Sequence, residues 1–216
     1  MKNKIYTLFI IIFSIICGII SKDYFLGTLI LICGLLNSYY ASIGKIYNYI
    51  FGALYSLLSG YVCCLNGLYG IAILSILVYF PSQIQGYLSW KKNTNKNKEV
   101  EVRGFTLKNS ILITLSCIVG SLILGLLLSK IPGQQLAFLD SSSNAINLCG
   151  IILMNLRFKE CWAVWLFNNS IDLSIWIINA INGTSNSTMM LLVSIGYLLI
   201  NIYGLIKWVN MSKRRN

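Results

Sequence analysis

Apolar residues run through this chain in long blocks, each closed by a short polar or basic interruption. Crossing a bilayer takes about 20 helical residues. Eight blocks reach that length, at about 4–21, 24–43, 46–65, 68–90, 108–129, 139–157, 161–181 and 187–209. A backbone in hydrocarbon must satisfy its own hydrogen bonds, so each block predicts a transmembrane α-helix. The Gly and Ser scattered inside them suit close helix packing. The first block follows Met1-Lys-Asn-Lys as a signal peptide would, but no small-x-small cleavage site closes it and it outruns the usual apolar core, so a retained anchor helix is expected. The longest polar interruption, KKNTNKNKEVEVRG at 91–104, is rich in Lys and Asn and reads as a solvated cytoplasmic loop with at most generic headgroup contact.

Composition agrees with the pattern. Of the 216 residues 56% are hydrophobic and 11% charged, against roughly 45–50% and 25% in soluble globular chains. Soluble, disordered and disulfide-scaffold classes are excluded. No histidine is present, which removes the commonest general base and transition-metal ligand. The seven cysteines lie in apolar stretches without a C-x-x-C pair and read as small core residues, so neither metal nor cofactor is expected. Without an acid/base pair, H-E-x-x-H or a Walker A motif, an enzyme or an attached ATPase is not expected.

The net charge of +11 reflects topology rather than nucleic acid. With the amino terminus in the cytoplasm, Lys2, Lys4, Lys45, the basic linker, Arg157, Lys159, Lys207, Lys213, Arg214 and Arg215 all fall inside. Only Lys22 and Lys130 fall outside. A multi-pass protein of the cell (inner or plasma) membrane with both termini cytoplasmic is expected.

Tyr79, Gln83, Gly86 and Trp90 recur as Tyr197, Asn201, Gly204 and Trp208 at one constant separation, each set on one helix face. Cys33-Gly34 opens a run ending at Lys45, and Cys149-Gly150 one ending at Lys159. Each unit is then three helices. The two have the same orientation only if an odd number of spans separates them, and the fifth span supplies one. The expected fold is all-α: an anchor helix (1–22), a first three-helix bundle (23–90), a cytoplasmic basic linker (91–107), a linker helix (108–130), a second bundle (139–210) and a cytoplasmic tail (211–216). Two parallel three-helix repeats in a 3 + 1 + 3 order are the design of SWEET-type carriers.

Polar groups inside the spans mark the candidate site. In the seventh span Trp162, Trp165, Asn169, Asp172 and Trp176 fall within an arc of roughly 80°. Ser194, Tyr197, Asn201, Gly204 and Trp208 repeat the spacing in the eighth, and the fourth offers Tyr79 and Gln83. Asp172 is the only acidic residue near the middle of any span, where a carboxylate costs about 2.5–3.5 kcal/mol on insertion scales. It reads as a substrate contact or a proton-coupling group, with a structural hydrogen bond as the alternative. Trp90 and Trp208 are assigned to the interfacial aromatic belt. Indole and phenol faces suit a flat, preferably cationic ring, and amides suit a carboxamide or sugar hydroxyls. The partners expected are therefore a small molecule and the lipid bilayer, with no nucleic acid; a homo-oligomer stays open.

At these residues the chain resembles the PnuC family of nicotinamide riboside transporters over about 25–210. The resemblance rests on Lys45-Ile-Tyr-Asn-Tyr-Ile-Phe-Gly52, Asn66-Gly-Leu-Tyr-Gly70, Gln85-Gly86-x3-Trp90, Phe138-Leu-Asp140 and, most specifically, Trp162-x2-Trp165-x3-Asn169. It implies a SWEET-related 3 + 1 + 3 fold and vitamin uptake by facilitated diffusion, with a cytoplasmic kinase trapping the substrate. Trp162, Trp165 and Asn169 would contact nicotinamide riboside, and Asn48 of the first motif joins the candidate set. Asp172 departs from the family pattern. Carriage of thiamine or a nucleoside, or a role as the substrate-binding subunit of a multi-component transporter, are the alternatives.

Overall fold

The computed structural model describes residues 2–22, 25–65, 69–95, 98–105, scattered positions within 112–130, then 137–182 and 187–213. The described elements are helical: α1 (Lys2–Ser21), α2 (Leu26–Ser42), α3 (Asn48–Leu65), α4 (Tyr69–Leu74), a π-helical turn (Ser75–Tyr79), α5 (Phe80–Lys92), α6 (Ala137–Asn155), α7 (Cys161–Ile181) and α8 (Ser187–Lys213). By length and composition, Asn3–Ser21, Asn48–Leu65, Cys161–Ile178 and Met190–Lys213 can each cross a bilayer. Most of the predicted fifth span lies outside the described residues. Leu112, Leu115, Leu122 and Leu126, described within it, are helical and exposed.

Six helices close a ring. α2 packs on α3, α3 on α5, α5 on α6, α6 on α7, α7 on α8, and α8 returns to α2. α1 lies outside the ring, chiefly against α2. The π turn has a local cause. Pro81 has no N–H to give the carbonyl four residues back, and the Phe80 N–H reaches instead to Ser75 O, one residue beyond the α pattern.

The chain reverses twice through the same motif. After α2 the Gly44 N–H donates to Ala41 O (2.9 Å) and the Lys45 N–H to Tyr40 O (2.9 Å). After α6 the Arg157 N–H donates to Met154 O (2.9 Å) and the Phe158 N–H to Leu153 O (2.9 Å). Both are left-handed helix terminations, with φ of 68° at Gly44 and 70° at Arg157. This pairing corrects the register read from Cys33-Gly34 and Cys149-Gly150, which sets Gly44 against Glu160 instead. A slip of three residues is close to one helical turn, so leucine- and isoleucine-rich helices tolerate it in sequence; the turns do not.

Two further expectations are corrected on this face. Trp90 and Trp208 are not belt residues. Both are fully buried, 5.6 Å apart, and each indole donates across the ring: Trp90 Nε1 to Met154 O (2.9 Å), Trp208 Nε1 to Ala41 O (3.0 Å). A buried indole needs an acceptor, and the last carbonyls of α2 and α6 supply it. Nor is the linker simply solvated. Val100 and Val102 are 2% and 4% exposed, and join the tryptophans in one cluster with Tyr49, Trp162 and Leu153. Residues 98–105 form a strap. The Val100 N–H donates to Gly44 O (2.9 Å) and the Arg103 N–H to Arg157 O (2.7 Å), so it is bonded to both turns.

Candidate functional site

The ring encloses a cavity of about 320 Å³, floored by the tryptophan cluster and lined from all six helices. That volume is at the low end for small-molecule sites. From α7 come Trp165, Asn168, Asn169 and Asp172; from α2, Asn37 and Ser38; from α3, Tyr55 and Ser56. The π turn contributes Tyr79, α5 Gln83, α6 Asn147, and α8 Tyr197 and Asn201. Such a concentration of amides inside apolar helices is costly unless they bond one another or a guest.

Three of these six amides have partners among the described residues. Asn37 Nδ2 donates to Asn48 O (2.8 Å), and Asn168 Nδ2 faces both Asn147 Oδ1 (3.4 Å) and Asp172 Oδ2 (3.3 Å). Gln83 is different. It is 7% exposed and its Oε1, fully buried, has no partner among the described residues. A buried acceptor left without a donor costs roughly 1–3 kcal/mol, so a guest that brings a hydroxyl or N–H gains there. The aromatic wall is also held firmly. Trp165 meets Trp162 edge-on at 5.3 Å, and behind it Gly150 leaves room: a Cβ at that position would collide with the indole nitrogen of Trp165.

Of the nine residues the sequence nominated, the structure brings seven to this cavity: Tyr79, Gln83, Trp165, Asn169, Asp172, Tyr197 and Asn201. Two are placed elsewhere. Trp162 is fully buried in the cluster beneath, edge-on to Trp165 and 5.8 Å from Trp208. It starts the first turn of α7, below the cavity, so it supports Trp165 rather than facing a guest. Asn48 is also fully buried and lies behind Asn37, its amide against Met154 Sδ at 3.9 Å. Sequence reading missed Asn37, Asn147 and Asn168. The signal was present for Asn168, since Trp165, Asn168 and Asp172 share the i, i+3, i+7 spacing as well as the chosen set does. For Asn37 and Asn147 the only signal was an amide within an apolar run.

A second cavity of about 410 Å³ lies between α1, α2 and α8. Phe9, Ile10, Phe13, Leu35 and Leu199 line it, which suits an acyl chain and offers a polar guest little.

Comparison with known proteins identifies the family. Residues 24–210 match the family described as nicotinamide mononucleotide transporter. The chain is 30% identical over 203 residues to the nicotinamide riboside transporter PnuC of Neisseria mucosa, covering 92% of this chain and 77% of that protein. It is 29% identical over 199 residues to the PnuC of Haemophilus influenzae, covering 91% and 84%. The crystal structure of the vitamin B3 transporter PnuC superposes with a TM-score of 0.82 at 27% identity, over all of this chain and 93% of that one. The chain therefore belongs to the nicotinamide mononucleotide transporter family.

Proposed function

We propose that this protein carries nicotinamide riboside into the cell by facilitated diffusion, and that a cytoplasmic kinase traps the substrate by phosphorylation. The observation that carries this reading is the cavity itself, where an indole wall meets amides from five of the six helices, among them Gln83 with a carbonyl that no described residue bonds. Trp165 stacks on the pyridinium, Asn169 bonds the carboxamide, and Gln83 and Asn201 hold the ribose, with Tyr79 and Tyr197 as walls. A flat cation over an indole and a carboxamide on an amide are matched chemistries. The names of the similar proteins point to the same substrate.

In this reading the architecture is 3 + 1 + 3, with α2 to α5 and α6 to α8 as parallel repeats and the predicted fifth span between them. Support comes from the bond-for-bond match of the two turns and from the reciprocal bonds of Trp90 and Trp208. Both termini are read as cytoplasmic; support comes from the basic turns, the linker and the end of α8, which gather on one face, and from the Thr7–Tyr40 hydroxyl contact that sets the start of α1 beside the end of α2.

Purified protein in liposomes, without ATP, is expected to equilibrate labelled nicotinamide riboside. Trp165→Ala and Asn169→Ala are each expected to weaken binding about tenfold or more by calorimetric titration, as loss of a stacking face or a buried amide bond implies. Unchanged affinity in both would reject the site.

A further inference from the structure

Among the described residues Asp172 is the one charged side chain lining the cavity. Among the described residues no lysine or arginine pairs with it; the ion pair found there, Lys45 with Glu99, belongs to the strap face. Its contact with Asn168 is long at 3.3 Å and neutral, and Asn168 is at the same time held toward Asn147 across the α6–α7 interface. The amide therefore orients the carboxylate without cancelling its charge. A carboxylate that no described basic residue neutralises favours whatever cation the cavity admits. Trp165 and Asp172 stand two helical turns apart on one face of α7, about 10 Å along the axis, near enough for the carboxylate to act on a ring charge across a low-dielectric cavity.

We infer that Asp172 is the counter-charge that makes the cavity prefer a cationic heterocycle over a neutral one of the same shape. This rests on the nicotinamide riboside reading and adds to it a residue that reads charge, with Asn168 as its positioning residue. Amide bonding recognises the outline of the ring, and stacking on Trp165 favours a cation only through the ring quadrupole; a full opposite charge adds to both.

The test is a pair of titrations on the full-length purified protein, with nicotinamide riboside and with its dihydro form. The latter keeps the carboxamide and ribose and lacks the ring charge. Wild-type protein is expected to prefer the cation, and Asp172→Asn to cut that preference about tenfold by weakening the cation alone. Asp172→Glu, which keeps the charge, is expected to retain most of the preference and controls for damage to the fold. A ratio changed by less than about twofold in Asp172→Asn assigns the discrimination to Trp165 and overturns the inference. Equal binding of both compounds by the wild type also overturns it, while leaving nicotinamide riboside as the substrate. Binding of neither compound overturns the substrate reading, and this one with it.

Discussion

Gly44 and Arg157 hold the same backbone conformation at equivalent turns, and only one of them is a glycine. An L side chain in the left-handed region costs roughly 1 kcal/mol. At position 44 an added methyl also meets Met211 Cε at 2.8 Å and Val100 Cγ1 at 3.4 Å. Gly44→Ala is expected to lower stability by about 1–2 kcal/mol, read as a lower thermal midpoint in detergent with the affinity for substrate little changed. Gly150→Ala reverses that signature. Its methyl displaces the Trp165 indole, so binding is expected to fall about fivefold or more, measured by titration, while the thermal midpoint moves less. At this scale the sequence was most legible in α7 and α8. There, an amide or aromatic among leucines has few reasons to exist, and Trp165, Asn169, Asp172, Tyr197 and Asn201 all reach the cavity. Helical spacing gives the direction of a side chain around its own axis but not its depth, which is why Trp162 and Asn48 fell one layer below.

Among the elements, the strap is the one that composition concealed. Lysine and asparagine dominate the linker just before it, and the Val100-Glu101-Val102-Arg103 alternation that follows is too short to compete with them. Period-two patterning of four residues is nonetheless a strand signal, and both valines point into the tryptophan cluster. Val102→Asp places a charge in that cluster and is expected to detach the strap. Hydrogen exchange at the Val100 and Arg103 amides, slow in the wild type because both are bonded, is expected to accelerate by an order of magnitude or more. If those amides stay protected, the valines are not what seats the strap. The π turn was legible only in part, since Pro81 marks a disturbance of the fourth span but not its form.

The ring of six helices puts the two halves in contact twice, at α5 with α6 and at α8 with α2. Each contact carries one indole bond to a carbonyl of the opposite half. Trp90→Phe and Trp208→Phe are therefore expected to destabilise by similar amounts, about 1 kcal/mol each for the lost hydrogen bond. The double variant is expected to deviate from additivity because the rings are 5.6 Å apart. Denaturation of the three proteins beside the wild type checks this, and very unequal single effects would argue against equivalent contacts. Helical class was readable because hydrocarbon leaves a backbone so few choices. The ring order was not, because apolar faces that meet lipid and apolar faces that meet protein use the same residues.

The strap has a mechanical consequence. One short peptide is covalently part of the connection between the halves and is also hydrogen-bonded to the turn of each, at Gly44 and at Arg157. Whichever half swings away on the basic side must first break a main-chain bond to its own tether. Residues remote from the cavity therefore bear on any motion that parts the two turns.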